Sequence, residues 1–139
     1  GTNPCSEIIL RPYQFCNLTE VVVRATDTYD DLARKVKLAT ILGTIQATFT
    51  KFPYLRKVWQ RNTEEERLLG VSLTGIMDNP LMTTKNKGLE KTLANLRSVA
   101  EETNRKYADL LGIAQSVSIT CVKPSGTVSL LAGATPGLH

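Results

Sequence analysis

The sequence predicts an α/β fold. Short runs rich in β-branched residues recur at 17–23, 68–76 and 116–122. Two long stretches with apolar residues three and four apart lie between them, and strands alternating with helices build a sheet covered by helical layers. The composition is 42% hydrophobic and 22% charged over 139 residues, which fits one globular domain able to bury a core.

The elements follow in order. EIIL, residues 7–10, reads as a short apolar strand. RPYQF bends at Pro12, and NLTEVVV at 17–23 reads as the next strand, so the chain opens as strand, tight turn, strand. Thr28 is the expected N-cap of a long helix, with Asp30 and Asp31 in a first turn that favours anions. Leu38, Ile41, Leu42, Ile45, Phe49 and Phe52 predict its buried face, and Pro53 ends it. VWQRNTEEER reads as a polar connector or short helix, with TEEER at 63–67 a solvated helix start. LLGVSLTGI at 68–76 reads as a buried strand. A second long helix is predicted over about 87–111, with Leu89, Leu93, Leu96, Ala100, Thr103, Tyr107 and Leu110 as its inner stripe and Gly112 just past its end. SVSITCV at 116–122 is another strand, KPSGT at 123–127 a loop, and VSLLAGA a small-residue run leading on from it.

Several classes are disfavoured. No stretch approaches the roughly 20 apolar residues of a membrane helix, and no signal peptide is expected. An odd count of three cysteines fits a reducing, cytoplasmic setting. The net charge of +4 is too small to indicate nucleic-acid binding. The missing initiator Met and the abrupt end at His139 are expected of a piece of something longer.

Three constellations carry chemistry. In an extended NPCSEI, Asn3, Cys5 and Glu7 share one face. A neighbouring carboxylate raises a thiol's pKa, which disfavours a thiolate nucleophile and suits a neutral thiol beside a general base. Alone, the triplet also fits a buried thiol beside a solvated acid. Cys16 opens the next strand, and the Pro12 turn allows it to approach Cys5, either as a redox-active thiol or as a buried core residue. KPSGT offers free backbone N–H groups, the Ser125 and Thr127 hydroxyls, the small Gly126 and the charge of Lys123. That suits a phosphate at a helix N-terminus, or equally an ordinary cap on Ser125, and it lacks the P-loop spacing. Cys121 reads as core, and Trp59 and Tyr54 as packing or boundary residues. No Cys/His cluster has zinc spacing, and no metal site is expected.

Together, N-x-C-x-E, the CNL strand opening, LLGVSLTGIMD, the P-S-G-T loop and ATPGLH resemble the catalytic subunit of ribonucleotide reductase along nearly the whole chain. The resemblance implies part of a ten-stranded α/β barrel: a finger loop with its following strand at 1–23, helix–strand–helix at 24–115, and a strand with a phosphate-binding loop at 116–139. It implies that Cys5 is the thiyl-radical cysteine that abstracts the ribose 3′-hydrogen. Glu7 is the base for the 3′-hydroxyl, and Asn3 the amide that holds the sugar. Cys16 is one of two cysteines that reduce the 2′-position, and Ser125, Gly126 and Thr127 hold the substrate phosphates. A dry barrel centre shields such a radical.

The short Cys5–Cys16 spacing and the PSGT form look most like the adenosylcobalamin-dependent class, rather than the class with a separate metal-containing radical subunit. The cobalamin-binding region is not identifiable in this chain. Implied partners are a ribonucleoside di- or triphosphate, the remaining half of the barrel and a thioredoxin-type reductant. The redox partner of Cys16 is missing, so the chain alone is expected to be inactive. A non-catalytic nucleotide- or phosphate-binding module derived from the same core is the alternative. A basic helical interaction domain ranks behind both, because the charge is spread along the helices.

Overall fold

The computed structural model describes residues 1–2, 8–83, 87–121 and 127–135, with the backbone alone at Lys87 and Thr127. Strand β1 (Asn17–Val22) pairs in parallel with β2 (Leu69–Thr74), in a register that sets Leu18 opposite Gly70 and Glu20 opposite Ser72. Between them run α1 (Tyr29–Gln46) and α2 (Lys57–Glu66). A 3-10 turn (Ile76–Asp78), the short α3 (Pro80–Thr83), the long α4 (Lys87–Leu111) and α5 (Thr127–Ala132) follow β2.

The free edge of β2 receives residues 117–121. Val71 bridges Thr120 in parallel, Leu69 N donates to Ser118 O, Val71 N to Ile119 O, and Cys121 N to Val71 O. The predicted third strand is therefore present as this ladder. Parallel strands need long crossovers, which α1, α2 and α4 supply.

Local chemistry explains the helix ends. Thr28 Oγ1 accepts from Asp31 N while Asp31 Oδ2 accepts from Thr28 N, a reciprocal capping box at the predicted start of α1. Helix α4 spans the predicted residues and stops before Gly112, whose φ of +67° suits glycine. Helix α2 realises the short-helix reading of VWQRNTEEER, shifted by one residue, and its left-handed end at Arg67 donates N–H to Thr63 O.

One face was misassigned by periodicity. In α1 the buried residues are Leu32, Val36, Ala39, Thr40, Gly43 and Thr44. The predicted inner residues Leu38, Leu42 and Phe49 are 56%, 60% and 73% exposed. Close packing selects the small stripe: a Cβ on Gly43 would already lie 3.3 Å from Leu69 Cδ2 and 3.6 Å from Thr19 Cγ2. The helix also ends at Gln46 rather than running to Pro53, with Ala47 as its cap. In α4, Leu96, Ala100 and Thr103 are buried as predicted, whereas Leu93 and Leu110 are exposed.

The core joins one sheet face to the helices: Val21, Val23 and Val71 pack with Leu32, Val36, Ala39, Met82, Leu96 and Ala100. Each fully buried Leu or Val there contributes about 1.5–3 kcal/mol of transfer free energy. Asn104, buried between α1 and the 117–121 ladder, donates to Thr44 Oγ1 and Ser116 Oγ, and its Oδ1 accepts from Ser116 N. Among the described residues no helix is long and apolar enough to cross a membrane.

Candidate functional site

Sheet alternation separates two faces. Thr19 and Leu69 face α1, where they meet Gly43. Leu18, Glu20 and Val22 lie on the other face, opposite Gly70, Ser72 and Thr74. This second face is polar for a sheet interior. Ser72 is 2% exposed, and the Glu20 carboxylate oxygens are buried there with it. Cys16 immediately precedes β1, two residues before Leu18.

Gly70 is the meeting point. A Cβ placed on it would lie 2.5 Å from Leu18 Cδ2, 2.9 Å from Cys121 Sγ and 2.9 Å from Ile8 Cδ1. Three segments therefore converge on one backbone position: the residue bonded to Glu7, the strand that follows Cys16, and the residue that leads into 122–126.

Among the described residues, 8–10 do not pair with β1, although the strand–turn–strand reading allowed it. Ile9 bridges Thr2 in antiparallel fashion, and Leu10 N donates to Gly1 O. After Pro12 the chain is drawn onto α2 instead. The Arg11 guanidinium contacts Glu65 at 2.9 Å and Glu66 at 2.8 Å. Buried Gln14 donates to Asn62 O and Glu66 Oε2, and Asn62 Nδ2 donates to Pro12 O. Phe15 stacks on Trp59 with centroids 4.6 Å apart, and Tyr13 meets the same indole edge-on at 5.6 Å, which bears out Trp59 as a packing residue.

The Gln14 amide, with Arg11 beside it, holds the Glu66 carboxyl below the usual range, and Glu65 and Glu66 raise the Arg11 guanidinium. Thr50 and then Gln60 lower Glu64 in the same way. TEEER is thus the end of α2 and binds its neighbours; it is not a solvated helix start.

At the other end of the strands, α5 is tied to β2. Gly75 N and Thr74 Oγ1 both donate to Thr135 O, Thr135 N donates to Asp78 Oδ2, and an Arg24 guanidinium nitrogen donates to Gly133 O. The 122–126 run therefore links the 117–121 ladder to a helix moored at the carboxyl end of β2. Ligands in parallel α/β sheets collect at that end.

Of the predicted site residues, Asn3, Cys5, Glu7, Ser125 and Gly126 lie outside the described residues, and Thr127 is the first residue of α5. Cys16 is half-buried at the entrance to β1, so the length of that strand separates it from α5. Cys121, expected in the core, is half-buried on the face away from the helices. Neither thiol forms a disulfide, and they sit on opposite sides of β2. The role of Gly70 escaped the sequence reading, because a glycine in LLGVS looks like an ordinary weak point of a strand. Among the described residues no group of His, Cys, Asp and Glu could hold a metal ion.

No family model matches the chain. It is 36% identical over 140 residues to a probable adenosylcobalamin-dependent ribonucleoside-triphosphate reductase of Dictyostelium discoideum, aligned along all of this chain and 18% of that protein. Adenosylcobalamin-dependent ribonucleoside-triphosphate reductases of Euglena gracilis and Levilactobacillus brevis are each 32% identical, again over the whole chain, with 18% and 22% of their lengths covered. The chain thus spans about one fifth of the curated relatives it matches. A crystal structure of a B12-dependent, class II ribonucleotide reductase superposes with a TM-score of 0.83 at 28% identity, over all of this chain and 22% of that one.

Proposed function

We propose that this chain, which corresponds along its whole length to a segment of the adenosylcobalamin-dependent ribonucleotide reductases and has that segment's fold, supplies part of the catalytic core of a ribonucleoside-triphosphate reductase. The observation that carries the reading is the convergence on Gly70. It brings Ile8, the neighbour of Glu7, and Cys121, the residue before 122, against Leu18, two residues after Cys16.

The chain's own residues take these roles. A thiyl radical at Cys5 removes the 3′-hydrogen of the ribose, and Glu7 accepts the 3′-hydroxyl proton while Asn3 holds the sugar by hydrogen bonds. The 2′-hydroxyl leaves as water. Cys16 and a second thiol outside this chain supply two electrons and two protons, one completing the water and one the new C2′–H bond, and end as a disulfide, which a thioredoxin-type reductant reopens. Cys5 then returns the hydrogen atom to C3′ of the product radical and is again a thiyl radical. Ser125, Gly126 and Thr127 hold the phosphates near the carboxyl ends of the strands. Adenosylcobalamin, the cofactor in the relatives' names, generates the radical when bound. The described residues of this chain gather no metal-ligating cluster.

A chimaera tests the reading: this chain replaces the matching segment of the Dictyostelium relative, and conversion of CTP to dCTP is followed with adenosylcobalamin and a dithiol. Turnover that Cys5→Ser abolishes supports the proposal. A chimaera whose turnover survives Cys5→Ser overturns it.

A further inference from the structure

Gly70 occupies a place in β2 where backbone freedom is not the reason for a glycine. Its φ lies outside the left-handed region, unlike that of Gly75 at +76° or Gly112 at +67°. The reason is space. Carbon atoms in contact sit about 3.5–4.0 Å apart, so a Cβ at 2.5 Å from Leu18 Cδ2 and 2.9 Å from both Cys121 Sγ and Ile8 Cδ1 overlaps all three.

All three are side-chain atoms, so a Cβ there would have to displace them, and the backbones that carry them are fixed. Leu18 is directly opposite in the strand register. Cys121 is held by its N–H on Val71 O. Ile8 is 6% exposed and packed in place. Ile8 is bonded to Glu7, and Cys121 leads into residue 122.

We propose that Gly70 is a positioning residue: its missing side chain seats Ile8 and Cys121 against β2 and so sets the separation of the two chain segments that carry the candidate chemistry. What those segments do rests on the reductase reading, but how they are held does not.

The test uses the full chain with Gly70→Ala alone and with Leu18→Ala added to open compensating volume. Alkylation of Cys121 by iodoacetamide is measured relative to Cys16 by peptide mass spectrometry, beside urea unfolding. Gly70→Ala is expected to raise relative labelling of Cys121 about fivefold or more, the population change that about 1 kcal/mol of overpacking produces. The double variant is expected to show less Cys121 labelling than the single one, because it removes the tightest of the three overlaps. Unchanged labelling in a folded Gly70→Ala chain overturns the proposal. If the single variant does not fold, the double variant decides: Cys121 labelling raised above the original supports the proposal, and native-like labelling overturns it. No step uses a nucleotide, so failure of the reductase reading leaves this result standing.

Discussion

Gln14 Nε2 donates to Glu66 Oε2 at 2.9 Å and to the Asn62 carbonyl at 3.2 Å, which fixes the turn after Pro12 to α2. Glu66 is thereby a titrating anchor. Its folded pKa lies below its ordinary value of 4.5, first through Gln14 and then through Arg11. A depressed carboxyl pKa adds stability that is complete above the unfolded value and is lost as pH falls through the folded one. Melting temperatures of the original and Glu66→Gln chains should therefore differ most near neutral pH and converge below about pH 4.5. A gap that stays constant between pH 7 and 3 would count against this anchor.

Asn104 should be costly to replace. Asn104→Leu strands the Ser116 N–H and removes the bonds to two hydroxyls. Leaving a buried donor unmade costs about 1–3 kcal/mol, and urea unfolding should show a loss of about 2–3 kcal/mol. A loss under about 0.5 kcal/mol would place the network outside the cooperative core.

The outward stripe of α1 predicts the opposite. Leu42 is 60% exposed, so Leu42→Glu should change unfolding free energy by less than about 0.5 kcal/mol. The same change should reduce concentration-dependent association in sedimentation velocity, because Leu38, Ile45 and Phe49 extend the same apolar surface. A loss of several kcal/mol would mean that the helix is turned inward, as its periodicity predicts.

Thr28→Ala removes the hydroxyl half of the α1 capping box and leaves Asp31 N without its acceptor. The expected loss is about 1 kcal/mol by urea unfolding. Thr28→Ser keeps the hydroxyl and should retain most of that stability; equal losses in both variants would rule out the cap as the cause.

The helices were legible because their ends carry local chemistry: the Thr28–Asp31 box and Gly112 act within a few residues. The strands were legible from β-branched runs. The direction of the α1 face was not, because two apolar stripes share one period and only the close approach of Gly43 to Leu69 and Thr19 selects between them. Pairing of 8–10 with β1 gave way to partners about 50 residues away, Arg11 and Gln14 binding Glu65 and Glu66 of α2, which no local pattern announces. At the site, residue types pointed to the chemistry, whereas the packing role of Gly70 depends on three segments far apart in sequence.

The parallel register also bears on how the chain reaches this fold. Val71 must find Thr120 and Asn17 must find Leu69, separations of roughly 50 residues, and such non-local closures slow folding. During synthesis β1 has no mate until β2 has emerged, and β2 has no second mate until residue 120 has been added. For that interval the two edges offer unpaired amides to any passing strand. The nascent chain is most prone to aggregate in that window, and slower elongation past β2 should lengthen it.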